Sequence, residues 1–241
     1  MGRESKRPFA VFDIDGTLIR WQLYHAITDA LAKNSHIEPD IHRTIREARM
    51  LWKRRSSPEA FKTYQEQLVK SYEKALLGLT VQQFDQAVKD VFSEYKDQVY
   101  IYTRELIKKL KKEGYLLFAI SGSQMEILAK VANYYGFDDF SGTFYTQKDN
   151  RFSGEVTLPV LNKDIALREM ITKHRASLKG SIGVGDSLSD VKILELVEQP
   201  IAFNPEQRLF EHAKKKAWKI VIERKNMIYE LQPKDGKYVL V

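Results

Sequence analysis

Asp13 and Asp15 stand two residues apart in Phe9-Ala10-Val11-Phe12-Asp13-Ile14-Asp15-Gly16-Thr17-Leu18, directly after an apolar run. Strand side chains alternate faces, so both carboxylates point the same way at the strand's carboxyl end. Their repulsion needs an offset, either a shared proton or a cation. A hard cation such as Mg²⁺, which takes one or two carboxylates together with substrate phosphate oxygens, suits the pair. A carboxylate can also accept a phosphoryl group, which gives Asp13 the chemistry of a nucleophile. Asp15 then has the chemistry of a general acid and base, its pKa lifted by the like charge beside it. By itself the pair also reads as one helix-capping Asp and one Asp in a solvated loop.

Three downstream stretches offer parts for the same chemistry. Ser121, with Gly122, sits where a second apolar run (Tyr115-Leu-Leu-Phe-Ala-Ile120) gives way to a helical pattern. A hydroxyl and backbone N–H groups at a helix start bind phosphate, although Ser-Gly-Ser is equally a turn and an N-cap. Lys163 lies at the start of another helical stretch, where it either neutralises a phosphate and a carboxylate or is one surface lysine among many. Asp186 and Asp190 close the run Gly180-Ser-Ile-Gly-Val-Gly185-Asp186-Ser-Leu-Ser-Asp190. They serve a cation or, alternatively, cap a helix and occupy its first turn.

The elements that carry these residues follow from periodicity. Phe9–Phe12, Tyr115–Ile120, Gly180–Gly185, Pro200–Asn204 and Trp218–Ile222 read as buried strands, and helical stretches separate most of them. Repeated strand-helix units predict a three-layer α/β domain with a mostly parallel sheet. Between about Leu18 and Glu113 the apolar residues recur at helical spacing, and Gly78, Pro39 and Pro58 are the breakers. Ser57-Pro58-Glu59 and Thr80-Val81-Gln82-Gln83 look like helix starts. This stretch predicts four or five helices inserted after the first strand. The expected division is therefore 1–18 with 114–241 for the α/β domain and 19–113 for the helical insertion. Lys148-Asp149-Asn150 predicts a hairpin turn, and Met227–Leu231 with Lys237–Val241 a terminal hairpin.

With 241 residues, 43% hydrophobic and 29% charged, the composition is that of an ordinary globular protein. Absence of cysteine excludes disulfides, thiolate metal sites and a cysteine nucleophile. The net charge of +7 favours an anionic partner, but the basic runs Trp52-Lys-Arg-Arg55, Lys108-Lys-Leu-Lys-Lys112 and Lys214-Lys-Lys216 read as solvated helix faces without a nucleic-acid motif. No apolar run reaches a membrane span, and the charged N-terminus shows no signal peptide. The expectation is a cytoplasmic protein with a small phosphorylated substrate as partner, no nucleic acid, no membrane, and an open oligomeric state.

In this order, Asp-x-Asp-Gly-Thr, Ser, Lys and Gly-Asp-x-x-x-Asp resemble the four motifs of the haloacid dehalogenase-like (HAD) hydrolase superfamily, and more narrowly its phosphoserine-phosphatase-like branch. The resemblance implies a Rossmann-like parallel sheet core carrying an inserted helical-bundle (type I) cap. It implies Asp13 as nucleophile and Asp15 as acid and base, with Mg²⁺ held by the Asp13 and Asp186 side chains and the Asp15 carbonyl. Asp190 supports the site, and Thr17, Ser121, Gly122 and Lys163 bind phosphate. Gln22 stands where phosphoserine phosphatases carry a Glu for the substrate's amino group, which leaves phosphoserine itself without support. Gln22 and His25, beside Trp21 and Tyr24, are candidate specificity residues, or equally part of a helix packed in the insertion's core.

The leading expectation is a Mg²⁺-dependent phosphomonoester phosphatase working through an aspartyl-phosphate. The alternatives are a phosphotransferase or mutase using the same intermediate, and a non-catalytic anion-binding protein of the same fold. The lack of Gly-x-x-x-x-Gly-Lys-Ser/Thr argues against a P-loop NTPase.

Overall fold

The protein is described from a computed structural model covering residues 6–57, 59–158 and 162–241. The expected helix start at Ser57-Pro58 and the lead-in at Leu161 each fall on a residue outside that set. The chain forms two compact units: Met1–Trp21, Tyr95–Thr143 and Leu158–Val241 in the first, Gln22–Glu94 and Phe144–Thr157 in the second.

The first unit is built on strands β1 (Pro8–Phe12), β2 (Leu116–Gln124), the opening half of β3 (Asp139–Lys148), β5 (Ser177–Gly185), β6 (Gln199–Phe203), β7 (Lys219–Arg224), β8 (Met227–Lys234) and β9 (Lys237–Leu240). Their order in the sheet is β3-β2-β1-β5-β6-β7-β8-β9. Pairing is parallel from β3 through β7, and the terminal hairpin of β8 and β9 is antiparallel. β1 lies at the centre because Phe9–Phe12 is fully buried and has no polar face to offer solvent. Strand order reverses at β1, and an open α/β sheet leaves a crevice beyond the carboxyl ends of its strands at such a point.

Helices α5 (Ile101–Lys112), α6 (Met125–Tyr135), α7 (Lys163–Lys173), α8 (Val191–Leu194) and α9 (Gln207–Lys215) belong to this unit. On one face of the sheet, Phe9 and Val11 of β1 and Phe118 and Ile120 of β2 form a core with Leu167 and Met170 of α7, Leu194 of α8 and Leu209 of α9. On the other face Phe12 meets Phe137 edge-on, just beyond Gly136, whose left-handed backbone (φ +72°) stops α6.

The second unit holds α1 (Leu23–Lys33), α2 (Pro39–Lys53), α3 (Ala60–Gly78) and α4 (Val81–Tyr95), together with the closing half of β3 and β4 (Arg151–Thr157). Ile45 and Ala48 of α2 pack on Tyr64 and Leu68 of α3, with Trp52 stacked on Tyr64. α4 begins with the expected capping box: the Thr80 N–H donates to Gln83 Oε1 at 2.9 Å and the Gln83 N–H to Thr80 Oγ1 at 3.2 Å.

This division differs from the expected 19–113 insertion at its start, which falls at Gln22, at α5 and at the β3–β4 hairpin. α5 packs with the sheet unit, because the buried Glu223 carboxylate of β7 accepts the N–H groups of Ile101 and Tyr102 at 3.0 and 2.8 Å. The turn half of the β3–β4 hairpin goes with the helices instead, since Phe152 packs edge-on against Phe84 and the Val81 N–H donates to Asn150 O at 3.1 Å.

Candidate active site

Asp13 follows β1 immediately and is 5% exposed, and its N–H donates to Val184 O of β5 at 3.0 Å. The chain then turns sharply: the N–H groups of Leu18 and Ile19 both donate to Ile14 O at 2.9 Å, and Gly16 takes a φ of +85°. A Cβ at Gly16 would sit 2.2 Å from Asp186 Oδ2, so only glycine lets this turn approach the end of β5.

Lys163 opens α7 and is 1% exposed. Its ammonium donates to Asp13 Oδ1 at 2.8 Å, Asp190 Oδ1 at 2.7 Å and Ile120 O at 3.2 Å. An ammonium has three protons, and here each meets an acceptor. Burial opposes its charge, but Asp13 and Asp190 outweigh burial and hold the Lys163 pKa above the ordinary lysine range.

Asp190 ends a 3-10 turn (Leu188–Asp190) and is fully buried. While Oδ1 takes Lys163, Oδ2 accepts the N–H groups of Asp186 and Ser187 at 3.1 and 3.0 Å. It thus closes a capping box with Ser187 and is also the lysine's partner, and Gly185 leaves the room it needs: a Cβ there would lie 2.5 Å from Asp190 Cβ.

Asp15 Oδ2 accepts the hydroxyls of Ser121 and Ser123 at 2.6 and 2.7 Å. Ser121 is fully buried near the end of β2, and Gly122 O accepts Thr143 Oγ1 at 2.7 Å. Thr17 is fully buried, its carbonyl accepts Thr103 Oγ1 at 2.9 Å, and its own Oγ1 has no hydrogen-bond partner among the described residues. A buried hydroxyl without a partner is costly unless a ligand satisfies it.

Oxygens of Asp13, Asp186 and Asp190 lie within 4.8 Å of one another. Burial first, and then the neighbouring carboxylates, raise Asp13 to about 7 and Asp186 to about 9. One lysine does not offset this charge, so the cluster calls for a proton or a cation. An all-oxygen donor set fits a hard divalent ion such as Mg²⁺. With both Asp190 oxygens engaged, Asp13 and Asp186 are the side chains suited to hold it.

The first unit therefore brings together Asp13, Asp15, Ser121, Lys163, Asp186 and Asp190. Gln22 and His25 fall in the second unit. Gln22 precedes α1, and its carbonyl accepts the Ala26 N–H at 3.1 Å. His25 is 2% exposed among Tyr64 and Trp52, with burial first and then Arg49 lowering its pKa to about 3. Sequence reasoning missed Ser123, although its spacing from Ser121 on one strand face was a usable signal.

The family model of the haloacid dehalogenase-like hydrolases matches residues 10–195. A phosphoserine phosphatase of Mycobacterium tuberculosis is 29% identical over 127 residues, covering 52% of this chain and 41% of that protein. The phosphoserine phosphatase of Methanocaldococcus jannaschii is 24% identical over 214 residues, covering 87% of this chain and 92% of the other. Among solved structures, a Bordetella pertussis protein of unknown function aligns with a TM-score of 0.74 over 91% of this chain and 99% of its own, at 20% identity. A phosphoserine phosphatase structure representing an analogue of the phospho-aspartyl intermediate aligns with a TM-score of 0.63 over 92% and 95%, at 22% identity. With the family model spanning every one of the clustered aspartates, Ser121 and Lys163, the chain belongs to the haloacid dehalogenase-like hydrolases.

Proposed function

We propose that this protein is a Mg²⁺-dependent phosphomonoester phosphatase acting through an aspartyl-phosphate on a small phosphorylated metabolite. The observation that carries the reading is the buried Asp13 carboxylate at the carboxyl end of the central strand, fixed through Oδ1 by Lys163 at 2.8 Å. Relatives named phosphoserine phosphatases support the reaction class. Gln22, in place of the carboxylate expected for a substrate amino group, argues for a different substrate headgroup.

Asp13 attacks phosphorus, and the bond from phosphorus to the ester oxygen breaks as Asp15 protonates that oxygen. Asp15, now a carboxylate, takes a proton from water. The hydroxyl oxygen bonds to phosphorus, and Asp13 leaves as a free carboxylate with inorganic phosphate as product. Lys163, turning one proton from its longest acceptor, Ile120 O at 3.2 Å, holds the phosphoryl oxygens together with the hydroxyls of Thr17 and Ser121. A Mg²⁺ held by Asp13, Asp186 and the Asp15 carbonyl would neutralise the charge gathered there.

Hydrolysis of p-nitrophenyl phosphate by the purified protein tests this, with Mg²⁺, with excess EDTA, and with Asp13→Asn. The reading expects turnover that requires Mg²⁺ and disappears in the variant. If neither this ester nor a panel of phosphorylated metabolites is turned over, the reading is wrong.

A further inference from the structure

Two hydroxyls converge on one oxygen. Ser121 Oγ and Ser123 Oγ lie 2.6 and 2.7 Å from Asp15 Oδ2. They sit two positions apart on β2, so strand alternation aims both at the same point. Ser123 is 2% exposed, and its backbone N–H donates to Ser121 Oγ at 2.9 Å. That bond leaves the single hydroxyl proton of Ser121 to be given elsewhere.

In the phosphatase reading, Ser121 turns that proton to a phosphoryl oxygen when substrate binds. It then cannot also donate to Asp15. We infer that Ser123 is a positioning residue whose hydroxyl holds the Asp15 carboxyl in place once Ser121 is engaged by the phosphoryl group. The inference rests on the phosphatase reading and assigns that site a residue the motifs do not supply. In a carboxylic acid the carbonyl oxygen is the stronger acceptor, and the oxygen that carries the proton accepts only weakly. A donor on Oδ2 therefore places the acidic proton on Oδ1, and Ser123 fixes which oxygen of Asp15 delivers it to the leaving group. Asp15 remains the group that transfers the proton, and Ser123 acts only through it.

Leaving groups separate this role from a merely structural one. Nitrophenolate departs with little help, whereas phenolate needs its proton. Ser123→Ala removes the hydroxyl and keeps the N–H bond to Ser121. It is expected to lower kcat/KM for phenyl phosphate about tenfold more than for p-nitrophenyl phosphate, a part of the roughly 10²–10⁴-fold that general acid catalysis supplies. Ser123→Thr, which keeps the hydroxyl, is expected to restore the ratio, and Ser123→Gly stands in if the alanine variant does not fold. The ratio kcat/KM reports the step in which the ester oxygen leaves, whichever step limits kcat. Equal loss on both esters, or no loss, overturns the role of Ser123 while leaving the phosphatase reading intact. Turnover by the wild-type protein of neither ester and of none of the phosphorylated metabolites overturns that reading and the inference with it.

Discussion

Lys163 Nζ donates to Asp13 Oδ1 at 2.8 Å, joining residues 150 positions apart inside a site where both are almost fully buried. Lys163→Met leaves two buried carboxylates without their cation, and loss of one partner from a buried ion pair costs about 3–5 kcal/mol. Urea denaturation in EDTA should show a loss of that order. Phosphatase kcat should fall by about 10²–10³-fold with Mg²⁺ present, the scale set by removing one donor from a developing oxyanion. A variant that keeps both stability and turnover would show that Lys163 neither neutralises these carboxylates nor assists phosphoryl transfer.

The carboxylates make metal and pH interdependent. Asp13 and Asp186 rise from the ordinary 3.8 to about 7 and about 9, first through burial, so the folded metal-free protein holds protons that the unfolded chain has already released. A carboxyl with a raised folded pKa destabilises the fold progressively as pH climbs from its unfolded to its folded value. Lys163, held above the ordinary lysine range, stays charged across this interval. Thermal unfolding in EDTA should therefore show a falling midpoint from about pH 5 to about pH 8, and Mg²⁺, by replacing the proton, should stabilise more at the higher pH. Stabilisation by Mg²⁺ that is equal at both pH values would contradict the assignment of these carboxylates.

Much of the site was legible because three of its pieces follow apolar runs, and a buried strand leaves a strong local trace. That trace puts Asp13, Ser121 and Asp186 at the ends of apolar runs, and their order along the chain with Lys163 and Asp190 is what separates them from caps and turns. The burial of Lys163 had no local signal: α7 begins with Lys163-Asp164, a pair that reads as surface until the distant Asp13 and Asp190 are supplied. Unit boundaries failed for the same reason. The helical periodicity of α5 says nothing of Glu223, 122 positions from Ile101, whose carboxylate ties that helix to the sheet. Likewise the turn chemistry of Asp149 and Asn150 gives the β3–β4 hairpin, with φ of +49° and +62°, but not the Phe84 ring its strand packs against.

Gly16 sets the spacing between the turn after β1 and Asp186. In Gly16→Ala the added Cβ would meet Asp186 Oδ2 at 2.2 Å, and φ +85° disfavours any L side chain. Displacing a ligand through its neighbour typically costs about 10–100-fold in metal affinity. A Mg²⁺ titration of activity or of thermal stability should show the half-saturation concentration raised by that factor. An unchanged titration would mean Asp186 does not hold the cation.

Glu223 holds α5 and Arg20 to the sheet, accepting the Ile101 and Tyr102 N–H groups and the Arg20 guanidinium. Glu223→Ala leaves a helix N-terminus without its carboxylate, and hydrogen bonds to a charged partner are worth about 1.5–3 kcal/mol each. Equilibrium unfolding should register a loss of at least about 1.5–3 kcal/mol, the worth of one such bond. The charge-removing but similarly shaped Glu223→Gln should lose less.

Chemical trapping identifies the nucleophile. An acyl phosphate on an aspartate is reduced by borohydride to homoserine, a change that mass spectrometry of the peptide containing residues 8–20 would locate. With Asp13 as the nucleophile, homoserine forms at Asp13 only when substrate and Mg²⁺ are present and is absent from Asp13→Asn. Turnover that continues in Asp13→Asn, or homoserine found at another aspartate, would contradict it.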